Sequence, residues 1–255
     1  MSVAGPDERA VAEVVPTGVP GRTKAERVRA MFARIVPRYD LMNALMSLGM
    51  DHRWRRAAAR AADPAGRIAL DVGTGTGDLA FALADAGSKL VVGVDFCEEM
   101  LAAARSKAGQ AGAVGVTFIA GDALALPFPD GTFDCVVSGF VLRNVADLRA
   151  ALGEMVRVLK PGGSFVCLEI THPPPLLAPF FRVYFGWFVP LLGAVVGHDR
   201  AAYRYLPRSL GPLPPAERLA AMLTETGLTA VRVRRLGLGT VALHIGRRPA
   251  AVPTR

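Results

Sequence analysis

The sequence predicts a doubly wound α/β fold with a mostly parallel sheet, and three observations carry that reading. Strand-like and helix-like segments alternate along most of the chain. The short apolar run from Ile68 is followed at once by glycines at 73, 75 and 77, and then by a helix-compatible stretch, Leu79 to Ala86. Three strand-like runs carry acids at or near their ends: Asp71, Asp95 and Asp122. Open α/β sheets bind ligands outside the carboxyl ends of their strands, so these glycines and acids mark one crevice.

The glycine turn brings backbone N–H groups and a helix N-terminus close to a ligand, because no Cβ holds it off. A dinucleotide fingerprint starting at Gly73 needs glycine at position 78, which is Asp. Lys89 to Asp95 reads as a second buried strand whose terminal acid suits the two hydroxyls of a ribose. Phe118 to Ala123 is the third such element. Three acids suit a ligand with an ammonium, a ribose and an adenine amine, and repel a pyrophosphate. S-adenosylmethionine therefore fits better than NAD, the bland alternative being a turn that only reverses the chain. The cofactor candidates are Asp71, Gly73, Gly75, Thr76, Gly77, Asp95, Asp122 and Ala123.

The other elements follow in order. The chain has 255 residues, 51% of them hydrophobic, enough for one large domain with appendages. Residues 1 to 21 read as a flexible leader without the basic and continuous apolar regions of a signal peptide. Val28, Met31, Phe32 and Ile35 share a helical face that begins near Thr23 and stops at Pro37. The apolar face of Leu41, Leu45, Met46, Leu48, Met50 and Trp54 reads as core packing or as a lid over a greasy ligand. Arg53, Arg55, Arg56 and Arg60 read as a solvated basic turn or one that meets an anionic surface. Glu98 to Lys107 reads as a helix, Phe133 to Ser138 as a strand, and Leu148 to Leu159 as a helix ended by Pro161-Gly162-Gly163. Ser164 to Ile170 is the next strand. Leu176 to Gly197 has about the length of a membrane span, but Arg182, Pro179 and Pro190 favour a cap over the strand ends, whose aromatics and single arginine also suit contact with a lipid surface. Cys97, Cys135 and Cys167 form no Cys-x-x-Cys pair and the four histidines are scattered, which predicts a reduced protein without a metal site.

Several stretches together resemble the ubiquinone/menaquinone biosynthesis C-methyltransferases, a family of class I S-adenosylmethionine-dependent methyltransferases. They are Tyr39-Asp-Leu-Met-Asn43 continuing to Ser47, Gly49 and Trp54; Phe128 to Asp134; Leu142-Arg-Asn-Val145; Met155 to Gly163; Tyr203 to Pro207; and Val241 to His244. The resemblance covers about residues 24 to 248. Asp51, Gly139, Val141 and the run Gly237 to Thr240 depart from the family pattern.

The resemblance implies a Rossmann-like, seven-stranded sheet whose last two strands, Thr229 to Leu236 and Thr240 to Ile245, form an antiparallel hairpin. It divides the chain into a leader (1–21), an N-terminal helical segment contributing to the acceptor site (22–62), a methyltransferase domain (63–250) with a cap insertion (174–206), and a tail (251–255). It implies methyl transfer from S-adenosylmethionine to a ring carbon of a polyprenylated quinol, with Tyr39, Asn43, Tyr203 and Tyr205 as substrate-binding residues. Arg143 is the catalytic candidate, set to hold a phenolate, unless it only pairs with Asp147 or Glu154. The rival functions are methylation of another small apolar acceptor, or a non-catalytic membrane-associated module.

The net charge is +8, and residues 228 to 255 hold six arginines and no acid. No interleaving of aromatic and basic residues accompanies them, which argues against nucleic acid and leaves an anionic membrane surface or a solvated basic tail. The expected partners are a lipid-soluble quinol, a membrane surface and a second copy in a homodimer. The expected location is cytoplasmic, peripheral at the inner face of the membrane.

Overall fold

The computed structural model describes residues 23–197, 199, 202, 205, 209 and 211–251. The expected leader, Tyr203, and the expected tail beyond Ala251 lie outside the described residues. Thr23 starts the first helix, α1 (Lys24–Ile35), through a capping box: its hydroxyl accepts from the Glu26 N–H, and the Glu26 carboxylate accepts from the Thr23 N–H. Val28, Met31 and Ile35 are its buried face. Pro37 closes the run with a 3₁₀ turn, and α2 (Tyr39–Ser47) and α3 (Met50–Ala62) follow around a corner at Leu48 and Gly49.

The sheet is built from β1 (Ile68–Val72), β2 (Leu90–Asp95), β3 (Val116–Ala120), β4 (Phe133–Gly139), β5 (Leu159–Ile170), β6 (Thr229–Leu236) and β7 (Val241–Arg247). Its order is β3-β2-β1-β4-β5-β7-β6, parallel from β3 to β5, with β7 antiparallel to both neighbours. Strands β1, β2 and β4 read as continuous apolar runs because both sheet faces are covered. Leu70, Val92, Val136 and Phe165 meet one set of helices, α6 (Leu148–Arg157) and α9 (Ala216–Glu225). Ala69, Val91, Val137 and Val166 meet α3, α4 (Asp78–Asp85) and α5 (Glu98–Ala111) on the other face.

Several boundaries differ from expectation, and β3 ends at Ala120, so Asp122 lies two residues past the strand and not at its tip. The helix expected to run to Leu159 stops at Arg157, and β5 starts at Leu159, five residues before Ser164. Leu159 pairs with Phe133 ahead of a register shift, so Pro161, Gly162 and Gly163 sit within an irregular strand start. Helix α5 also runs past Lys107 to Ala111.

The apolar stretch between β5 and β6 folds as α7 (Ala178–Val183), one π turn (Tyr184–Phe188) and α8 (Val189–Val195). Among the described residues, Ala178–Val195 is the one helical run long and apolar enough to cross a membrane, and 17% of it is buried. It packs on the N-terminal helices. Val189 packs with Val28, Met31 and Met42, and the Tyr184 hydroxyl donates to the Met46 carbonyl at 2.7 Å.

Two leucines stand out in the backbone. Leu48 and Leu238, at the α2–α3 and β6–β7 corners, hold φ of +52° and +58°. The left-handed conformation costs a side chain with a Cβ about 1–2 kcal/mol, and burial does not repay it here. Leu48 is 79% exposed and Leu238 is 82% exposed.

Candidate active site

The sheet order reverses between β1 and β4, and the crevice opens there, at the carboxyl ends of the strands. Gly73 and Thr74 donate their N–H groups to the Val94 carbonyl, which folds the glycine turn back onto β2. Asp95, the last residue of β2, then holds both sides of the opening. Its Oδ2 accepts from the Gly75 N–H at 2.8 Å and its Oδ1 from the Cys97 N–H at 2.9 Å. Burial raises the Asp95 pKa, against the pull of these backbone donors.

Gly73, Gly75, Asp95, Asp122 and Ala123 all line this cleft of about 100 Å³. Phe96, Met100, Phe140, Val141 and Asn144 are also on its wall. Three expected cofactor residues are not on the wall. Asp71 is buried inside β1, where its Oδ2 accepts from the Thr74 hydroxyl at 2.7 Å. Thr76 turns away and donates to Asp40. Gly77 caps α4, and a Cβ there would stand 2.9 Å from the Phe118 ring. These three residues build the loop from behind.

A second cavity, of about 370 Å³, adjoins the first. Tyr39 and Phe140 line both. Its walls come from α2 and α3 (Asn43, Met46, Trp54), the β6–β7 corner (Gly237, Leu238) and α7 with its π turn (Phe180, Tyr184, Phe185). The two readings of the α2–α3 apolar face therefore divide between residues. Met46 and Trp54 pack against the core and line the cavity, Leu48 and Met50 line it with exposed side chains, and Leu41 and Leu45 are exposed away from it.

Phe140 holds φ of +61° just past β4, a strained backbone for a bulky residue. The Arg55 and Arg143 guanidiniums stand 5.7 and 5.9 Å from its ring centre, within cation–π range. Tyr39 is half-buried, and desolvation raises its phenol pKa against the lowering influence of Arg143 and Arg55, which keeps it neutral.

Arg143 lines the larger cavity, but neither expected ion pair forms. Asp147 caps α6 by accepting from the Ala150 N–H, and Glu154 is held by Arg157. Arg143 Nη1 instead donates to Glu169 Oε1 at 2.7 Å, from the neighbouring strand β5. Glu169 is 1% exposed, its Oε2 is unpartnered, and so is Arg143 Nε. Tyr205 is not on either wall; its hydroxyl donates to Asn144 Oδ1 at 3.1 Å and steadies the segment after β4. Sequence reasoning missed Phe140, Asn144 and Glu169. The first two lie in or beside the Leu142-Arg-Asn-Val145 stretch, and an acid inside an otherwise apolar strand was the signal for the third.

Arg55 is also not part of a solvated turn. It is buried, paired with Asp51 one helical turn away and 3.8 Å from Asp78, while Ser47 donates to Asp51 at 2.8 Å. Burial pushes the Asp51 pKa up, but the Ser47 bond and the Arg55 charge outweigh it and the net shift is downward. With the folded pKa below the unfolded one, the pair's stability is fully present above roughly pH 4 and lost as pH falls through the folded value. Asp51→Ala is expected to cost about 3–5 kcal/mol in urea melts at neutral pH, because Arg55 loses its close partner. Asp51→Asn should flatten the acid limb of stability; an unchanged limb would show that the pair does not drive it.

The profile of the ubiE/COQ5 methyltransferase family matches residues 21–248. The chain belongs to that family. It is 49% identical over 224 residues to a demethylmenaquinone methyltransferase of Thermus thermophilus, covering 86% of this chain and all of the relative. A demethylmenaquinone methyltransferase of Roseiflexus castenholzii is 48% identical, covering 89% of this chain and 95% of the relative. The ubiquinone/menaquinone biosynthesis C-methyltransferase of Desulfotalea psychrophila is 42% identical, covering 88% and 91%. Among solved structures, a Thermotoga maritima S-adenosylmethionine-dependent methyltransferase aligns with a TM-score of 0.64 at 20% identity, covering 86% of this chain and 98% of that one. The [4+2]-cyclase SpnF aligns at 0.68 with 20% identity, covering 92% and 100%. At such identity these neighbours show the fold alone.

The chain is an S-adenosylmethionine-dependent methyltransferase with the class I, Rossmann-like fold. Its residues fit that cofactor. A Cβ on Gly75 would meet only the edge of the Tyr39 ring, at 4.0 Å, so the glycine leaves space on the cleft wall for a ligand. Under the loop, Asp71 Oδ1 is buried without a partner, and burial raises that carboxyl to about 7 despite the Thr74 bond. A cationic ligand nearby favours its ionised form.

Proposed function

We propose that this enzyme methylates a ring carbon of a polyprenylated quinol in respiratory quinone biosynthesis, with demethylmenaquinol as the acceptor. The observation that carries this is the larger apolar cavity, which shares Tyr39 and Phe140 with the cofactor cleft. A flat ring seated there faces the cofactor across Phe140, while aromatic and aliphatic walls receive the apolar part of the molecule. The names of the relatives point to the naphthoquinol ring.

S-adenosylmethionine, when bound, supplies a methyl group already activated on a sulfonium. Gly73 and Gly75 let it approach the loop, Asp95 accepts its ribose hydroxyls, and Asp122 and Ala123 border its adenine. Val141 packs against Gly73 on the wall of the same cleft. Tyr39 and Asn43 orient the acceptor ring. Arg143 faces the ring hydroxyl whose ionisation makes the neighbouring carbon nucleophilic, and the aromatic walls exclude water. The enzyme works in the cytoplasm, at the inner face of the membrane that holds its acceptor.

The test is product mass analysis after supplying the demethylated naphthoquinol and benzoquinol separately. Methylation of the naphthoquinol is expected; transfer to neither quinol, with another small apolar acceptor methylated instead, would overturn the reading. Asp95→Ala is expected to weaken cofactor binding at least about tenfold by calorimetry, since it removes two charge-assisted hydrogen bonds of about 1.5–3 kcal/mol each. An unchanged dissociation constant would remove Asp95 from the ribose site.

A further inference from the structure

The run from α7 to α8 is apolar on both sides, and only one side is packed. Phe181, Phe185, Val189 and Leu192 face the protein. Leu176, Phe180, Val183, Trp187, Leu191 and Val195 recur every three or four residues on the other side, and all are exposed. Trp187 is 80% exposed. Patches of this kind mark interaction surfaces.

This stripe is not alone. Leu48 and Leu238 come from corners distant in sequence, yet both line the same cavity as Leu177 and Phe180. Both hold left-handed backbone and expose their side chains. Asparagine or glycine would relieve that strain, and water gives an exposed leucine no advantage. Leu41 and Leu45 extend the Leu48 side along α2 at helical spacing. Three separate segments thus place strained or exposed leucines and aromatics around one cavity mouth.

Charge says what covers the mouth. No acidic residue occurs between Glu169 and Asp199, and Arg182 stands exposed within the stripe. Arg53 and Arg56 are exposed on α3, beside the cavity residue Trp54. Apolar tips with a tryptophan and an exposed arginine among them, and no acid in the stretch, match an anionic bilayer surface, where apolar groups enter the acyl boundary and cations meet headgroups.

We propose that the α7–α8 stripe with Leu48 and Leu238 is a bilayer-inserting rim, through which the acceptor cavity opens directly into the lipid phase. The acceptor then reaches the ring site without leaving the membrane. The proposal rests on the quinol reading for what passes the rim, and on the surface alone for its docking to lipid.

The test uses the full chain and vesicles of phosphatidylcholine with phosphatidylglycerol. Trp187 is read alone in a Trp54→Phe variant, with lipids brominated along the acyl chain as quenchers. Its emission is expected to shift to the blue and to be quenched; emission unchanged by vesicles would overturn the rim. In the otherwise unaltered protein, Val183→Asp with Trp187→Asp is expected to weaken vesicle binding at least about tenfold. Methyl transfer to a long-tailed quinol in vesicles should fall with it, while transfer to a tail-less quinol in solution stays within about twofold. Equal loss on both acceptors would make the stripe part of the fold. A dimer without lipid that the two aspartates dissociate would make it a self-interface. If vesicles bind through Trp187 and neither quinol is methylated, the rim stands and the quinol reading falls.

Discussion

Gly75→Val is expected to weaken S-adenosylmethionine binding more than about a hundredfold, which is about 2.7 kcal/mol, while the chain still folds. The three glycines of the loop separate on what a side chain would meet. At Gly73 a Cβ would stand 2.2 Å from Val141, and at Gly77 it would stand 2.9 Å from Phe118, so substitution there disturbs protein packing. At Gly75 it meets only Tyr39 at 4.0 Å, on the wall of the cleft. The backbone φ of +55° costs valine about 1–2 kcal/mol, well below the usual stability of a domain of this size. Calorimetry with S-adenosylmethionine and thermal melting together decide it. A folded Gly75→Val protein that binds the cofactor as before would show that the ligand does not sit against this loop.

The same contrast shows how far the sequence could be read. Glycine at alternating positions after an apolar run told of a turn and a nearby ligand, because those needs are local. It did not tell that Gly77 makes room for Phe118, which comes from β3. Asp71 and Asp95 looked alike as acids near strand ends. Asp95 is the last residue of its strand and lines the cleft, whereas Asp71 lies one residue inside β1 and binds Thr74. Asp71 pairs with Gly93, two residues short of Asp95, so the two acids share a face and Asp71 lies deeper in the sheet. On α3 it is facing that separates the residues of the basic turn: Arg55 falls on the buried side at helical spacing, and Arg53, Arg56 and Arg60 do not. Strand and helix order was legible because apolar periodicity records burial. Pairings between strands were not, and the partner of Arg143 was sought among Asp147 and Glu154 nearby when it lies on β5.

That pairing sharpens the expected result for Arg143. Arg143→Ala is expected to cut turnover by about 10²–10³, the usual loss when one preorganised donor is removed, with cofactor affinity barely changed. It also strands Glu169, which is 1% exposed, and breaking such a pair costs about 3–5 kcal/mol of stability. Turnover lost through the fold must therefore be separated from turnover lost through chemistry. Arg143→Met combined with Glu169→Gln removes both charges, so it should recover most of the stability in urea melts and none of the turnover. Glu169 behind the guanidinium offsets part of its charge, which leaves directed N–H groups, rather than net charge, as the main source of stabilisation. Arg143→Lys keeps the charge and loses the planar fork, and should fall between parent and Ala. A pH series gives the independent readout. Solvent ionises the acceptor hydroxyl unaided as pH approaches that hydroxyl's own pKa, so the Ala variant should regain rate relative to the parent as pH rises. If the charge-free double variant turns over normally, or if Arg143→Ala shows no recovery with pH, then Arg143 holds the fold and does not stabilise the phenolate.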